Sequence, residues 1–404
     1  MSQVLVIGAG VAGVAAAWAA RSNGADVVVV ADRAGASELT SGACDLRSWE
    51  GPGASTCALP HGLTQFWRAA DLGVLPDVGS LVVTRQGFIR PARGVLTGIL
   101  DLRRLAGREI GVPDLERADW DGIGLCKALA RFPEVKELQI RFLPIRLPVL
   151  RERFEERCSG AELAGVHDDS SRVEWLTEKL SRHGVEGWLL GPWLGLEHPA
   201  TPSIEGRLGI PVGETLSDVG DAAGGRLARA LERFLDVLGV KRVIGRVERV
   251  ARGGRRWGVE LAGGADFAKL SADRLVVACG GLAAGGLVAK RSFKGQAGGA
   301  RLSLGFESDG FSLGLDGHDL DAMSSLHGLD FEHLGRGLLE RAGLAAGARD
   351  KTAKEDPASV PTRICAAGLS APSAFAAGDV LAGLERTLLA AAYSGVCAGT
   401  AASG

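Results

Sequence analysis

The run Gly8-Ala9-Gly10-Val11-Ala12-Gly13 constrains this chain more than any other feature. Four apolar residues, Val4-Leu5-Val6-Ile7, lead into it, and an Ala-rich stretch to Ser22 follows. A strand, a glycine turn and a helix in that order begin a βαβ unit. Gly8 permits the tight turn, Gly10 lets backbone approach a pyrophosphate, and Gly13 lets the helix sit close to the sheet. The helix N-terminus presents unpaired N–H groups to phosphate. Structural glycines alone could share this spacing, so the strand before and the helix after carry the reading. Asn23-Gly24 closes the helix, and residues 27–30 supply a second strand apolar on both faces, as a parallel sheet covered on both sides requires.

A chain of 404 residues has room for about two or three structural units. Lys+Arg 46 against Asp+Glu 48 leaves a near-neutral molecule with no basic stripe, which argues against a nucleic-acid partner. Seven cysteines (Cys44, Cys57, Cys126, Cys158, Cys279, Cys365, Cys397) form no C-x-x-C pair. That scatter argues against iron–sulfur clusters and structural zinc, and the odd count suits a reducing, cytoplasmic compartment. The opening residues lack a basic flank and are interrupted by three glycines, so no export signal is expected. Residues 387–404 are uncharged but too rich in Ala, Gly, Ser and Thr for a spanning helix.

Along the chain, residues 34–60 have the composition of a loop that can touch a ligand. Residues 80–199 are richer in charge, helical in pattern at 95–105 and 171–183, and punctuated by Pro133, Pro144 and Pro148. Helical spacing returns at 224–238, short strands follow around 243–250 and 257–261, and an apolar strand at 275–278. Residues 345–361 read as a charged loop, and 373–380 with 388–399 as a closing strand, turn and helix. The fold class expected is therefore α/β: a Rossmann-like FAD/NAD(P)-binding fold split across both chain ends, residues 1–79 and 200–404, with an inserted α+β domain over 80–199.

Three further segments carry chemistry. The acid that closes the second strand in dinucleotide-binding folds is replaced by Ala31, with Asp32 one residue late and Arg33 beside it. Thr40-Ser41-Gly42 opens a small-residue loop, placed where flavoproteins with two dinucleotide-binding domains set such a loop against pyrophosphate or flavin. Residues 275–281, ending at Gly280-Gly281, resemble the A-T-G segment of that superfamily. Ala376-Ala377-Gly378-Asp379-Val380 resembles its late Gly-Asp box, whose acid reaches a ribityl hydroxyl and whose following helix faces the flavin. Val247 completes the candidate cofactor set. The order of these boxes points to flavin as the resident cofactor.

With these pieces in place the chain resembles the B subunits of anaerobic glycerol-3-phosphate dehydrogenases. The likeness is carried by Ser41-Gly42-Ala43-Cys44-Asp45-Leu46, by Thr84-x-x-Gly87-x-x-Arg90, by Gly224-Gly225-Arg226-Leu227, by Gly285-Gly286-Leu287-Val288-Ala289, and by the late Ala377-Gly378-Asp379-Val380-Leu381-Ala382-Gly383. The family tends to have Ser where Asp379 stands and a glycine-rich run where this chain has Ala391-Ala392-Tyr393-Ser394-Gly395. The resemblance implies FMN, with FAD as the alternative. It also implies an A-type flavoprotein subunit that oxidises glycerol-3-phosphate, a C-type iron–sulfur subunit that makes the membrane contact, and hence peripheral membrane association through partners.

No histidine has a motif-fixed role. His61, His198, His318, His327 and His333 read as surface or packed residues, and the catalytic residues stay unassigned, with Arg90 the weak candidate for a phosphate clamp. Arg252, Arg255 and Arg256 read as a solvated hairpin tip. The leading function is a flavoprotein subunit of a glycerol-3-phosphate:quinone oxidoreductase. The alternatives are a stand-alone flavin oxidoreductase of amine-oxidase or fumarate-reductase type, and a flavoprotein-fold assembly scaffold without redox turnover.

Overall fold

The computed structural model describes residues 2–33, 35–47, 58–115, 117–148, 150–262, 270–291, 300–308, 313–315, 318–319, 342–344, 373–381 and 384–404. Its two parallel sheets are built from β1 (Gln3–Ile7), β2 (Asp26–Ala31), β3 (Glu109–Asp114), β4 (Arg141–Arg146), β5 (Gly187–Leu190), β6 (Val212–Glu214), β7 (Lys241–Ile244), β8 (Arg274–Val277) and β9 (Ala374–Ala376). The helices that matter most to the site and its support are α1 (Val11–Ser22), α2 (Ser170–Ser181), α3 (Ala222–Val237) and α4 (Leu388–Ser403). The architecture is mixed α/β.

The first sheet has the order β7-β2-β1-β8-β9, every neighbour parallel. Its central strands β2, β1 and β8 are apolar on both faces because both faces are covered. Val4, Val6, Val27, Val29 and Val276 join one core with α1, α3 and α4. Leu5, Ile7, Val28, Val30, Leu275 and Val277 point the other way, into a core with Trp257 and Val259 of an antiparallel hairpin. That alternation is the two-residue period of a strand expressed on two buried sides.

Helix α1 starts where the glycine run stops the first strand. Gly8 has φ +110, open to glycine, and a Cβ there would lie 2.1 Å from the Ala278 carbonyl oxygen. A Cβ on Gly13 would lie 1.9 Å from the Gly8 carbonyl oxygen, so α1 sits against its own entering strand only because residue 13 has no side chain. Helix α4 meets α1 in the same way: Cβ atoms on Gly395 and Gly399 would fall 2.2 and 2.1 Å from the Ala12 and Ala16 carbonyl oxygens.

The second sheet has the order β6-β5-β3-β4, also parallel throughout, with helices between its strands. Beside it lie antiparallel pieces: residues 80–83 and 89–92 form a short hairpin, and residues 94–96 pair with 43–44 and 73–74. Pairing and packing cross the expected break at residue 199. Trp188 pairs with Val212, and Thr201–Leu208 is a helix whose Ile204 lies in the same core as Leu100, Trp188 and Trp193, so this unit continues to Glu214.

Residues 95–105 are not a helix. They form the end of the strand Gly94–Leu96 and a 3-10 turn over Leu102–Leu105. Gly98 between them has φ +103, which interrupts any helix, and the Asp101 carboxylate accepts the Leu81 and Arg103 amides, each at 3.0 Å, to cap the turn. The helix expected over 171–183 is α2, and that over 224–238 is α3, with Leu227, Leu231, Phe234 and Leu235 buried. No helix among the described residues is long and apolar enough to cross a membrane.

Candidate functional site

A cavity of about 640 Å³ opens over the carboxyl ends of the first sheet. It receives residues from the ends of all five strands: Gly245, Arg246 and Val247 after β7, Ala31 to Arg33 at β2, Gly8 to Ala12 after β1, Ala278 to Gly280 after β8, and Gly378 and Asp379 after β9. Carboxyl ends of parallel strands leave their loops and helix N-termini facing one crevice, which is where ligands of open α/β sheets sit. With strands about 4.8 Å apart, five of them make a trough about 19 Å across.

The glycine turn lies at its middle. Gly10 precedes α1, and a Cβ there would meet the Ser37 Oγ at 3.3 Å and the Gly35 Cα at 3.8 Å, so a side chain would fill space that glycine leaves open. The Val11 amide, one of the donors at the head of α1, gives its hydrogen bond to the Ser37 Oγ at 3.0 Å. Ser37 thereby caps a helix whose N-cap residue, Gly10, has no side chain to offer.

Among the described residues, five arginines line the cavity, Arg33, Arg47, Arg90, Arg246 and Arg386, against three aspartates, Asp32, Asp45 and Asp379, a formal surplus of two positive charges. They divide between the two ends. At the β2 and β7 side, Arg33 approaches Asp32 at 3.5 Å with Arg246 nearby in the lining. At the β9 side, Arg90 pairs with Asp45 at 3.0 Å, and Arg386 donates to the Asp379 carbonyl oxygen. Burial pushes the Asp379 carboxyl above its usual range, and the Arg386 guanidinium only partly opposes that rise. Two thiols stay protonated for the same reason: burial takes Cys279, in the cavity wall, up to about 12, and raises Cys44 well above its ordinary value.

Of the cofactor residues expected from sequence, Gly8, Ala9, Gly10, Val11, Ala12, Ala31, Asp32, Arg33, Thr40, Ser41, Val247, Gly280, Gly378 and Asp379 all line the cavity. Two do not. Gly13 serves the α1 contact described above, and Gly42, at φ +105, is pressed against Ile99, where a Cβ would meet its Cγ1 at 2.6 Å. Of the trio Thr84, Gly87 and Arg90, only Arg90 reaches the cavity. Thr84 accepts the Phe88 amide at 3.1 Å, and Gly87 packs on Ala128 and Leu125, so both serve a turn and its support. His61 and His198 lie outside the lining; His327 and His333, and the loop 345–361, lie outside the described residues, as do Cys57, Cys365, Ala382 and Gly383. Residues Arg252, Arg255 and Arg256 form the expected hairpin tip, though Arg256 reaches back to Asp273 at 3.6 Å.

Sequence reading missed Ser37, Arg246 and Arg386. None belongs to a motif. The one guide available was position, since Arg246 follows the carboxyl end of β7 within two residues and Arg386 stands two residues ahead of α4.

No family model matches this chain, and no curated protein matches it significantly. Among solved structures it is similar to FqzB, at 11% identity and a TM-score of 0.25 over 72% of this chain and 40% of that one. It is similar to the peptidyl tryptophan dihydroxylase QhpG at 16% identity and 0.23, over 70% and 33%. It is similar to a chain of the Mycobacterium smegmatis Sdh1 complex at 13% and 0.34, over 100% and 68%. This chain therefore spans well under half the length of the first two, and TM-scores this low carry no weight for its activity.

Proposed function

We propose that this chain is a flavoprotein with a Rossmann-like nucleotide-binding fold split between the two chain ends, around an inserted unit, and that its cavity holds a flavin nucleotide. The observation that carries the reading is the glycine turn and α1 N-terminus at the centre of a net-positive trough crossing five strand ends. The residues present suit the group. Gly10 and the head of α1 would take phosphate, Asp379 with the Gly378 turn would face the ribityl chain, and the α4 N-terminus would face the pyrimidine edge. The flavin, when bound, supplies the two-electron redox chemistry. The trough continues past the turn to Asp32, Arg33, Arg246 and Val247, room that a nucleoside half would use, and this favours FAD over the FMN that the family resemblance implies.

Following that resemblance, the chain acts as the B-type subunit of a glycerol-3-phosphate:quinone oxidoreductase. An A-type flavoprotein oxidises substrate and a C-type iron–sulfur subunit passes electrons onward at the membrane. The test is direct. Protein denatured in acid should release a yellow ligand whose mass decides FAD from FMN, and a colourless supernatant would leave only the scaffold reading. The purified single chain should not reduce dyes with glycerol-3-phosphate unless co-expressed with partners; turnover by the chain alone at the rate of the complex would favour a stand-alone oxidoreductase.

A further inference from the structure

One end of the cavity holds a cation that the flavin reading does not use. Arg90, on the strand Ile89–Ala92, belongs to the cavity lining, as do Arg47 and Arg386. Its Nη2 is held by the Asp45 Oδ2 at 3.0 Å and its Nη1 donates to the Pro91 carbonyl oxygen at 3.1 Å. A guanidinium has five N–H donors in a planar fork, so these two contacts fix its plane and leave donors to spare. Asp45 is itself fixed on two sides. Its carbonyl oxygen accepts the Leu389 amide at 3.1 Å, the neighbouring Leu46 carbonyl accepts the Thr387 hydroxyl at 3.1 Å, and the Cys44 carbonyl accepts the Arg93 amide at 2.9 Å. The segment carrying Asp45 is thus stitched between the head of α4 and the strand next to Arg90.

We propose that Arg90, oriented by Asp45, is the anchor for a compact oxyanion, a carboxylate or phosphate group, of a small molecule that occupies the β9 end of the cavity. Both acids at that end are directed at arginines: Asp45 at Arg90, and Asp379 at Arg386, whose Nη1 lies 4.0 Å from the carboxylate. The fixed fork of Arg90, with donors to spare on the cavity side, suits two oxygens of one group. Asp45 is a positioning residue here, since its engaged oxygen faces the guanidinium. The inference deepens the reading of the same cavity as a flavin site by naming the class of molecule that would lie beside the flavin, but its test does not need the flavin.

The full chain is titrated with inorganic phosphate and, separately, acetate at constant ionic strength, and thermal unfolding is followed. Wild-type protein should show a saturable upward shift with at least one of the two probes. The Arg90→Gln variant should bind that probe about tenfold more weakly, the loss of a charge-assisted hydrogen-bond pair. Arg90→Lys, which keeps the charge and loses the fork, should fall between them, and Arg255→Gln at the hairpin tip should match wild type. A larger response to phosphate than to acetate assigns a phosphate group; the reverse assigns a carboxylate. Absence of any saturable shift in wild type, or equal binding by Arg90→Gln, overturns the proposal, because the anion would then bind elsewhere, as at the head of α1. Flavin content is measured on the same samples. Its loss in Arg90→Gln alone would make Arg90 a cofactor residue and also overturn the proposal, whereas its absence from wild type would end the flavin reading and leave the anion result to stand by itself.

Discussion

A single methyl group separates two roles within one glycine run. On Gly13 it would lie 1.9 Å from a backbone oxygen that cannot move without shifting strand β1, whereas on Gly10 it would lie 3.3 Å from the rotatable Ser37 hydroxyl. Gly13→Ala should therefore cost about 1–3 kcal/mol in urea denaturation, an overpacking penalty. Gly10→Val should remain folded by circular dichroism yet lose the acid-releasable ligand; normal ligand content in that variant would make the turn purely structural. The two roles were legible in the sequence, since their places in the glycine run assign Gly10 to a phosphate and Gly13 to helix packing. His167 shows what sequence conceals altogether. It is 1% exposed, donates from Nδ1 to the Leu163 carbonyl oxygen at 2.9 Å, and is kept neutral by burial down to about pH 4. The unfolded imidazole takes its proton near the ordinary 6.5, so folded stability is complete above that pH and is lost as the pH falls toward 4. The loss is on the order of 3 kcal/mol, and His167→Gln should flatten stability across that window in pH-dependent denaturation.

Helix α4 acts on the site as a unit. Its Gly395 and Gly399 bring its backbone onto α1, and its buried Ser394 Oγ accepts the Gly378 amide at 2.8 Å, holding the turn that carries Asp379. Ser394→Ala should cost about 1 kcal/mol by denaturation, the price of one unsatisfied buried amide, with a larger loss of ligand affinity than of stability. The central strands β2, β1 and β8 were legible because both faces of each carry Val, Leu or Ile. Residues 95–105 were misread because Val95, Ile99, Leu102 and Leu105 are spaced as on a helix face, while what decides their path is a positive φ at Gly98 and a side-chain cap from Asp101. Neither is visible in hydrophobic period.

At the scale of the molecule, the two parallel sheets are locked together by a buried ion pair. Glu214, at the end of β6, is fully buried, pairs with Arg226 of α3, and accepts the Leu194 amide at 2.6 Å, while Arg226 also donates to the Leu194 and Gly195 carbonyl oxygens, each at 3.1 Å. Glu214→Ala strands a buried guanidinium and should cost about 3–5 kcal/mol, seen as a lower denaturation midpoint. Val212–Glu214 was not legible as a strand because it is three residues long and has no pattern of its own; only its pairing with β5 makes it one. The order of the first sheet has a consequence for synthesis. β1 lies between β2 and β8, and β9 closes the edge, so a ribosome must emit more than three hundred and seventy residues before the sheet has all its strands. The strands of the second sheet are all made by Glu214, while the outer edges of the β1–β2 pair and the alanine face of α1 still wait for β7, β8 and α4. Those waiting edges are where a chaperone would be needed.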